Sequence, residues 1–293
     1  NSAVNEAAQA FRSSAWKDLP RGERKKVLLR WAALLEQHQE TLAILDCAET
    51  GRALINFRHD SIPKAVEALR WFAELADKVD DRAVLEGQMP RKMSLVRREP
   101  IGVVAAVLPW NDPMVVYIWK VAPALVCGDA VVAKASEYAH HSIVLATRLA
   151  HEAGIPHGIL QLLTGDGVTT GHALVTHPKV GAIGFTGSTQ TGRQILINAQ
   201  LQSFKRINLE CGGKGAYIVS DNCNDIQAAA RCLAKNAFYN QGQICSAATR
   251  AYIHRKVYDT FVEALLEETQ RFAPSDPFTG ETGVGFMINC QAV

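Results

Sequence analysis

The stretch IGVVAAVLPWNDPMVVYIWKVAPALVCGDAVVAK, residues 101–134, decides the fold. It opens with a continuous apolar run at 101–110, which favours a strand buried on both faces. A helix-like segment follows from Asp112-Pro113, and AVVAK at 130–134 is a second short strand. A strand, a helix and another strand in this order predict a βαβ unit and a parallel sheet.

The same alternation continues on the C-terminal side. Further strands are predicted at 159–165, 180–187 and 206–210, and helices at 141–154, 168–177 and 189–199. After Gly212, the order strand, helix, strand, helix begins again and predicts the start of a second α/β unit. Before residue 101 the 3.6-residue apolar period predicts helices, one of them followed by Gly51 and another opened by Ser61. We therefore predict an α/β protein with a doubly wound, Rossmann-like parallel sheet.

The composition excludes several function classes. The 293 residues are 48% hydrophobic and 20% charged, which is typical of a globular protein with a large core. The net charge is +2, and the densest basic run, at 21–26, opens a helix-like segment, so no nucleic-acid partner is predicted. No apolar run reaches the roughly 18–20 residues that span a bilayer, so no membrane partner is predicted.

Cysteine and histidine usage points to a cytoplasmic protein without metal. The seven cysteines have irregular spacings and no CxxC, which argues against a disulfide framework and for reduced thiols. The nine histidines show no HExxH motif and no paired ligand spacing.

Two glycine-rich turns between a strand and a helix are candidate phosphate sites, because ligands bind beyond the carboxyl ends of parallel strands. TGDGVTTG contains Gly167 and misses the GxGxxG pattern by one residue, so a plain tight turn explains it equally well. In FTGSTQTG, Gly187 allows a close backbone approach and Ser188 precedes a helix N-terminus that attracts anions. Ser188 is also a good helix cap, and both roles are compatible.

Lys134 and Glu137 follow a predicted strand and are three residues apart, so both could reach one polar ligand. A ribose diol suits the pair, since the lysine donates and the glutamate accepts. The carboxylate would repel a ribose 2′-phosphate, which favours NAD over NADP. A surface ion pair is the alternative.

Together the motifs resemble the aldehyde dehydrogenase superfamily over nearly the whole chain. The matching blocks, in family order, are PWN (109–111), WK (119–120), KASE (134–137), GFTGSTQTG (184–192), LECGGK (209–214) and NQGQICSA (240–247). The resemblance implies NAD(P)-dependent oxidation of an aldehyde to an acid. It implies a nucleophile at Cys245, a general base at Glu210, an oxyanion-hole amide at Asn111 and an active-site lysine at Lys120.

The resemblance also implies the cofactor contacts and the domain organisation. Implied cofactor-contacting positions are Trp110, Lys134, Glu137, Gly167, Gly187, Ser188 and Gly192. It implies an NAD-binding domain at 1–209, an oligomerisation arm at 83–98 within it, and the N-terminal part of a catalytic domain at 210–293. We accordingly expect a homodimer or a homotetramer.

Two departures from the family pattern affect the expected substrate and the completeness of the site. Asp112 stands where an aromatic residue is common, at a position that faces the substrate tunnel in the family. A carboxylate there, near Tyr117 and Trp119, would favour a cationic aldehyde such as an aminoaldehyde, although Asp112-Pro113 also reads as a helix start. The family's later E-[IV]-F-G-P block is absent, so we expect the chain to be part of a longer enzyme.

Two alternative functions remain open. The chain could be a non-catalytic, dinucleotide-binding remnant of the fold. It could also belong to a CoA-acylating member, in which the acyl group passes to CoA rather than to water. Retention of Glu210 favours hydrolysis.

Overall fold

A five-stranded parallel sheet is the centre of the larger part of the molecule. The computed structural model describes residues 1–13, 16–85, 93–201, 203–279 and 284–292. The helices are α1 (Ser2–Arg12), α2 (Arg21–Gln37), α3 (Gln39–Thr50), α4 (Leu54–Asn56), α5 (Ile62–Glu74), α6 (Pro113–Cys127), α7 (His141–Glu152), α8 (His172–Thr176), α9 (Thr189–Ala199), α10 (Ile226–Phe238) and α11 (Tyr258–Thr269). The strands are β1 (Arg82–Leu85), β2 (Met93–Val96), β3 (Val103–Val107), β4 (Ala130–Lys134), β5 (Leu160–Leu163), β6 (Val180–Gly187), β7 (Arg206–Cys211), β8 (Gly215–Val219) and β9 (Ala248–Ile253).

The strand order is β5-β4-β3-β6-β7, and all four neighbouring pairs are parallel. The chain starts at the centre with β3, moves to one edge, then returns to the other side of β3. Because parallel crossovers are right-handed, such a reversal places the connecting helices of the two halves on opposite faces. The predicted doubly wound sheet is therefore confirmed.

The core explains why β3 lies in an unbroken apolar run and why β4 is apolar up to Lys134. Their central residues, such as Ala105 and Val132, have no solvent exposure. The N-terminal helices enlarge this core. Trp31 of α2 is fully buried and donates its indole N–H to the carbonyl oxygen of Ala146 at 2.9 Å. Removing such a buried ring by a change to alanine costs about 3–5 kcal/mol.

Several helix ends follow the sequence signals. Gly51 ends α3 with a φ of 73°, a left-handed conformation that suits glycine. Ser61 precedes α5 as predicted, but its side chain makes no capping hydrogen bond. The predicted helix at 168–177 is instead a π-helical turn, Gly167–Gly171, followed by the short α8.

A second, smaller unit follows β7. Strands β8 and β9 pair in parallel, and α10 and α11 cover them around a small core that includes Val219, Leu233 and Phe261. Asp225 caps α10 by accepting the N–H of Ala228 at 2.8 Å. The second α/β unit is thus present. The boundary at 209/210 stays a prediction, and β7 continues in the first sheet to Cys211.

The predicted arm at 83–98 includes β1 and β2, which form an exposed antiparallel ribbon. Residues 86–92 of the arm lie outside the described part of the chain. Among the helices described, none is long and apolar enough to cross a membrane.

Candidate active site

The carboxyl ends of four strands meet at one edge of the large sheet and carry most of the candidate residues. Val107 at the end of β3 is paired with Lys134 of β4 on one side and with Phe185 of β6 on the other. Glu210, near the end of β7, is opposite Thr186 of β6. The register therefore brings the PWN, KASE, FTGSTQTG and LECGGK blocks to the same edge.

Asn111 is bound to the loop that precedes Cys245. Its side-chain Nδ2 donates to the carbonyl oxygen of Gln243 at 2.9 Å. In return, Nδ2 of Asn240 donates to the carbonyl oxygen of Asn111 at 3.1 Å. An amide nitrogen has two N–H groups, so Asn111 keeps one donor for a ligand.

Cys245 is exposed at this junction. Its carbonyl oxygen lies 3.4 Å from the position that a Cβ on Gly213 would take. A Cβ on Gly215 would lie 3.0 Å from the carbonyl oxygen of Ala247. The GGKG turn therefore packs directly against residues 245–247, and Glu210 stands exposed three residues before Gly213. The fold thus brings together segments that are far apart in the sequence.

The loop before Cys245 contains a conformation that the sequence did not reveal. Asn240 and Gln241 have φ values of 49° and 56°, and Gly242 has a φ of 76°. Left-handed backbone costs roughly 1–2 kcal/mol for a residue other than glycine, with asparagine among the more tolerant. Asn240 is also fully buried. Hydrogen bonds with Asn111 and Gln243 account for the place of Asn240 in the site. No local sequence pattern predicts these bonds.

Lys120 lies at the same edge, on α6. Its aliphatic chain crosses Gly184 of β6, 3.7 Å from the position of a Cβ there. Burial lowers the pKa of Lys120, and the negative charge of Glu210 raises it in part. A half-buried amine and an exposed carboxylate therefore lie at this edge of the sheet.

The turn from β6 to α9 has the features of a phosphate site. Ser188 caps α9, since its hydroxyl accepts the N–H of Thr191 at 3.1 Å. A Cβ on Gly187 would lie 2.6 Å from the ring of Phe185, so the close approach requires glycine. Gly192 is buried, and a Cβ there would lie 3.1 Å from Sγ of Cys211. The first N–H groups of a helix lack partners within it and suit an anion.

Lys134 and Glu137 form an ion pair, with 3.0 Å between Nζ and Oε2. The pair is not a plain surface ion pair, because the lysine side chain is 4% exposed and the glutamate is 45% exposed. A buried cation beside an open carboxylate fits a ribose diol next to the phosphate turn. Trp110 is half-buried after β3, and no atom lies within 4 Å of a Cβ position on Gly167, so their cofactor contacts stay predictions.

Of the predicted substrate residues, Tyr117 needs correction. It has no solvent exposure, and its hydroxyl lies 2.8 Å from Oγ1 of Thr147, so it belongs to the core and cannot face a tunnel. Trp119 is 55% exposed on α6, so its place at a substrate tunnel stays a prediction. Asp112 occupies the N-cap position of α6 but makes no capping bond. Its Oδ1 instead lies 3.5 Å from Nη1 of the buried Arg52.

One cluster of possible metal ligands was missed because its members are distant in sequence. Glu49 Oε2 accepts the N–H groups of His140 and His141 at 2.9 Å each. The other carboxylate oxygen lies 3.3 and 2.5 Å from their Nδ1 atoms. Capping of α7 accounts for this arrangement, and the absence of a metal stays a prediction.

Comparison with known proteins shows which family the chain resembles. The family model "Aldehyde dehydrogenase family" matches residues 1–293. The NADP/NAD-dependent aldehyde dehydrogenase PuuC of Escherichia coli K12 is 40% identical over 288 residues, which are 98% of this chain and 58% of that protein. The aminoacetaldehyde dehydrogenase of Pseudomonas aeruginosa is 36% identical over 98% of this chain and 58% of that protein.

The likeness extends to solved structures. The crystal structure of indole-3-acetaldehyde dehydrogenase in complex with NAD+ matches with a TM-score of 0.96 and 39% identity, over 99% of this chain and 58% of that one. The chain belongs to the aldehyde dehydrogenase family. It spans about 58% of the length of these relatives.

Proposed function

We propose that the protein oxidises an aldehyde to the carboxylic acid with NAD as the hydride acceptor, and that Cys245 is the nucleophile. The observation that carries this proposal is the bond from Nδ2 of Asn111 to the carbonyl oxygen of Gln243 at 2.9 Å. This bond supports the proposal because Gln243 lies two residues before the exposed Cys245.

In the proposed reaction, the thiolate of Cys245 attacks the carbonyl carbon and forms a thiohemiacetal. The free N–H of Asn111 and the backbone N–H at Cys245 donate to the oxyanion. NAD, when bound, would supply the hydride acceptor, and loss of a hydride from this carbon would leave a thioester on the sulfur of Cys245. Glu210 then takes a proton from water, the hydroxide adds to the thioester, and the acid departs as the C–S bond breaks.

The cofactor is held by two groups in this proposal. The N-terminus of α9, with Gly187 and Ser188, receives the phosphates, and Lys134 with Glu137 receives the ribose diol. The position of Lys120 beside Glu210 supports a role for its amine in the charge balance of the site. Preference for NAD over NADP rests on the exposed carboxylate of Glu137.

An aminoaldehyde is the more specific proposal for the substrate. It is supported by the name of the aminoacetaldehyde dehydrogenase relative. Asp112 is a poor source of that preference, since Arg52 already offsets its charge. We expect a higher kcat/KM for an aminoaldehyde than for a neutral aldehyde of equal length, and little change in that ratio on Asp112→Asn. Equal kcat/KM values for the two substrates would contradict the proposal.

Assembly into a homodimer or homotetramer is proposed through the β1–β2 ribbon. Four of its apolar side chains are exposed by about half or more: Val84, Met93, Leu95 and Val96. Exposed apolar ribbons are typical of interfaces. Light scattering on the Leu95→Lys variant should show a smaller species than the unchanged protein, and an unchanged mass would contradict this interface.

The decisive experiment combines turnover with trapping of the acyl group. NADH formation should follow addition of aldehyde, and mass spectrometry of the quenched enzyme should find the acyl group on Cys245. Cys245→Ser should abolish both signals, whereas Cys232→Ser, at an exposed cysteine of α10, should keep them. A thioester product in the presence of CoA would instead indicate acyl transfer to CoA. Cofactor binding without any turnover would indicate a non-catalytic protein.

A further inference from the structure

We propose that Arg52 is a positioning residue that holds the loop of Asn111 and the loop of Cys245 in register with each other. The inference rests on the proposed function, since it concerns the same two loops. Arg52 directly follows the end of α3 and belongs to none of the motif blocks. Its side chain is nevertheless completely buried.

The guanidinium of Arg52 contacts one residue next to each functional loop. Its Nη2 donates to the hydroxyl of Tyr239, which is the residue before Asn240. Its Nη1 lies 3.5 Å from Oδ1 of Asp112, which is the residue after Asn111. A rigid planar cation therefore bridges the two chain segments.

Aromatic contacts fix the plane of the guanidinium. Its Cζ lies 4.2 Å from the centroid of the Tyr239 ring and 4.7 Å from that of Phe57. The Tyr239 hydroxyl in turn donates to Asp60, whose Oδ2 is 3.8 Å from Nη2 of Arg52. A lysine would preserve the charge but would have neither the planar stack nor the fork of donors.

Charge explains why this bridge is specific. A buried cation needs partners, because transfer from water is costly unless it is paired. Asp60 and Asp112 supply two negative charges, and Lys64 supplies a second positive charge through its 2.6 Å contact with Asp60. Burial lowers the pKa of Arg52, while Asp112, Asp60 and Asp46 raise it. The group thus stays a cation inside the protein.

The loop before Cys245 requires such a restraint. Asn240 and Gln241 are left-handed, a conformation that persists only when the surroundings determine it. The contacts between Asn111, Asn240 and Gln243 hold one part of the loop, and Arg52 with Tyr239 holds the residue that precedes it. Loss of the Arg52 contact should let Asn111 and Cys245 move apart without changing either residue.

The test uses Arg52→Lys and Tyr239→Phe in the complete protein, because both keep the charge or the ring and should fold. Matched controls are Arg58→Lys and Tyr258→Phe, at exposed residues outside the site. Three quantities are compared: the single-turnover rate of hydride transfer, the dissociation constant for NAD, and the rate of Cys245 alkylation by iodoacetamide. Melting temperatures report folding.

We expect both test variants to slow hydride transfer at least tenfold, with the NAD dissociation constant unchanged within about twofold. The alkylation rate of Cys245 should change in both, and in neither control. Hydride transfer and alkylation at the unchanged rates would overturn the inference. A parallel loss of NAD binding and melting temperature would also overturn it, since that pattern indicates a merely structural role.

The readouts separate this inference from the proposed function. If the unchanged protein reduces no NAD with any aldehyde, the proposed function fails by itself. Alkylation of Cys245 then still tests the bridge, because it requires no turnover. An unchanged alkylation rate in both variants would reject the positioning role in that case, and an altered rate restricted to them would support it.

Discussion

Nδ2 of Asn111 donates to the carbonyl oxygen of Gln243 at 2.9 Å, across 132 residues of sequence. The bond joins the end of the central strand β3 to the loop before Cys245. It makes the position of the proposed nucleophile depend on the large sheet, although Cys245 itself belongs to the smaller unit. Changes at either partner should therefore affect catalysis before they affect folding.

Asn111→Ala removes the proposed side-chain donor to the oxyanion. Loss of one such donor lowers kcat by about 10²–10³-fold. We expect a fall of this size in steady-state kcat, with an unchanged dissociation constant for NAD. Asn224→Ala, at an exposed turn, is the matched control. If the Asn111 variant keeps the full kcat, the side chain of Asn111 does not take part in the mechanism.

Gly187→Ala tests the phosphate turn. The new Cβ would lie 2.6 Å from the ring of Phe185, so the ring or the turn must move. Such overpacking costs about 1–3 kcal/mol of stability. We expect weaker NAD binding in calorimetry together with a lower melting temperature. Gly22→Ala, where no atom lies within 4 Å, should bind NAD normally. Normal binding by both variants would argue against a cofactor at this turn.

Glu210→Gln tests the pairing with Lys120. Burial lowers the pKa of Lys120 and the carboxylate raises it, so removal of that negative charge should lower the pKa further. Competitive acetylation across a pH series, read by mass spectrometry, should show the Lys120 amine becoming reactive at lower pH. Glu263→Gln on the exposed side of α11 should leave the profile unchanged. A shift to higher pH would contradict the predicted sign.

Glu137→Gln tests the choice of cofactor. Its carboxylate is expected to repel a ribose 2′-phosphate, so neutralisation should narrow the preference for NAD over NADP. A loss of about 1.4 kcal/mol of discrimination corresponds to about tenfold in the ratio of kcat/KM values. Glu152→Gln, exposed at the end of α7, is the control. If the ratio of kcat/KM values for NAD and NADP is unchanged in the Glu137 variant, the carboxylate of Glu137 does not determine the cofactor preference.

Local sequence patterns were sufficient for the strands and for several helix ends. The segment AVVAK matches β4 with no error at either end, because its first four residues are apolar, as a strand buried on both faces requires. Ser188 caps α9 as its position predicts, because an N-cap bond reaches only three residues along the chain. These features depend on neighbours in sequence and can be read without a fold.

Local sequence patterns were misleading where a side chain contacts a residue that is distant in sequence. Asp112 stands at the start of α6 as expected, yet its carboxylate turns to Arg52, which lies 60 residues earlier. Tyr117 follows the helical period into the core, where Thr147 accepts or donates its hydrogen bond. Charge pairing determines the partner of Asp112, and burial determines that of Tyr117. A short stretch of sequence reveals neither partner.

The sequence by itself determined the α/β class, the order of the motif blocks and the residue types of the candidate site. Only the tertiary structure decided that Asn111 meets Gln243, that Asn240 is left-handed, and that Arg52 lies between Asp112 and Tyr239. The physical reason is the sequence separation over which each kind of interaction acts. Periodicity and capping act over a few residues, whereas these contacts join segments that only the strand order and the packing of the N-terminal helices bring together.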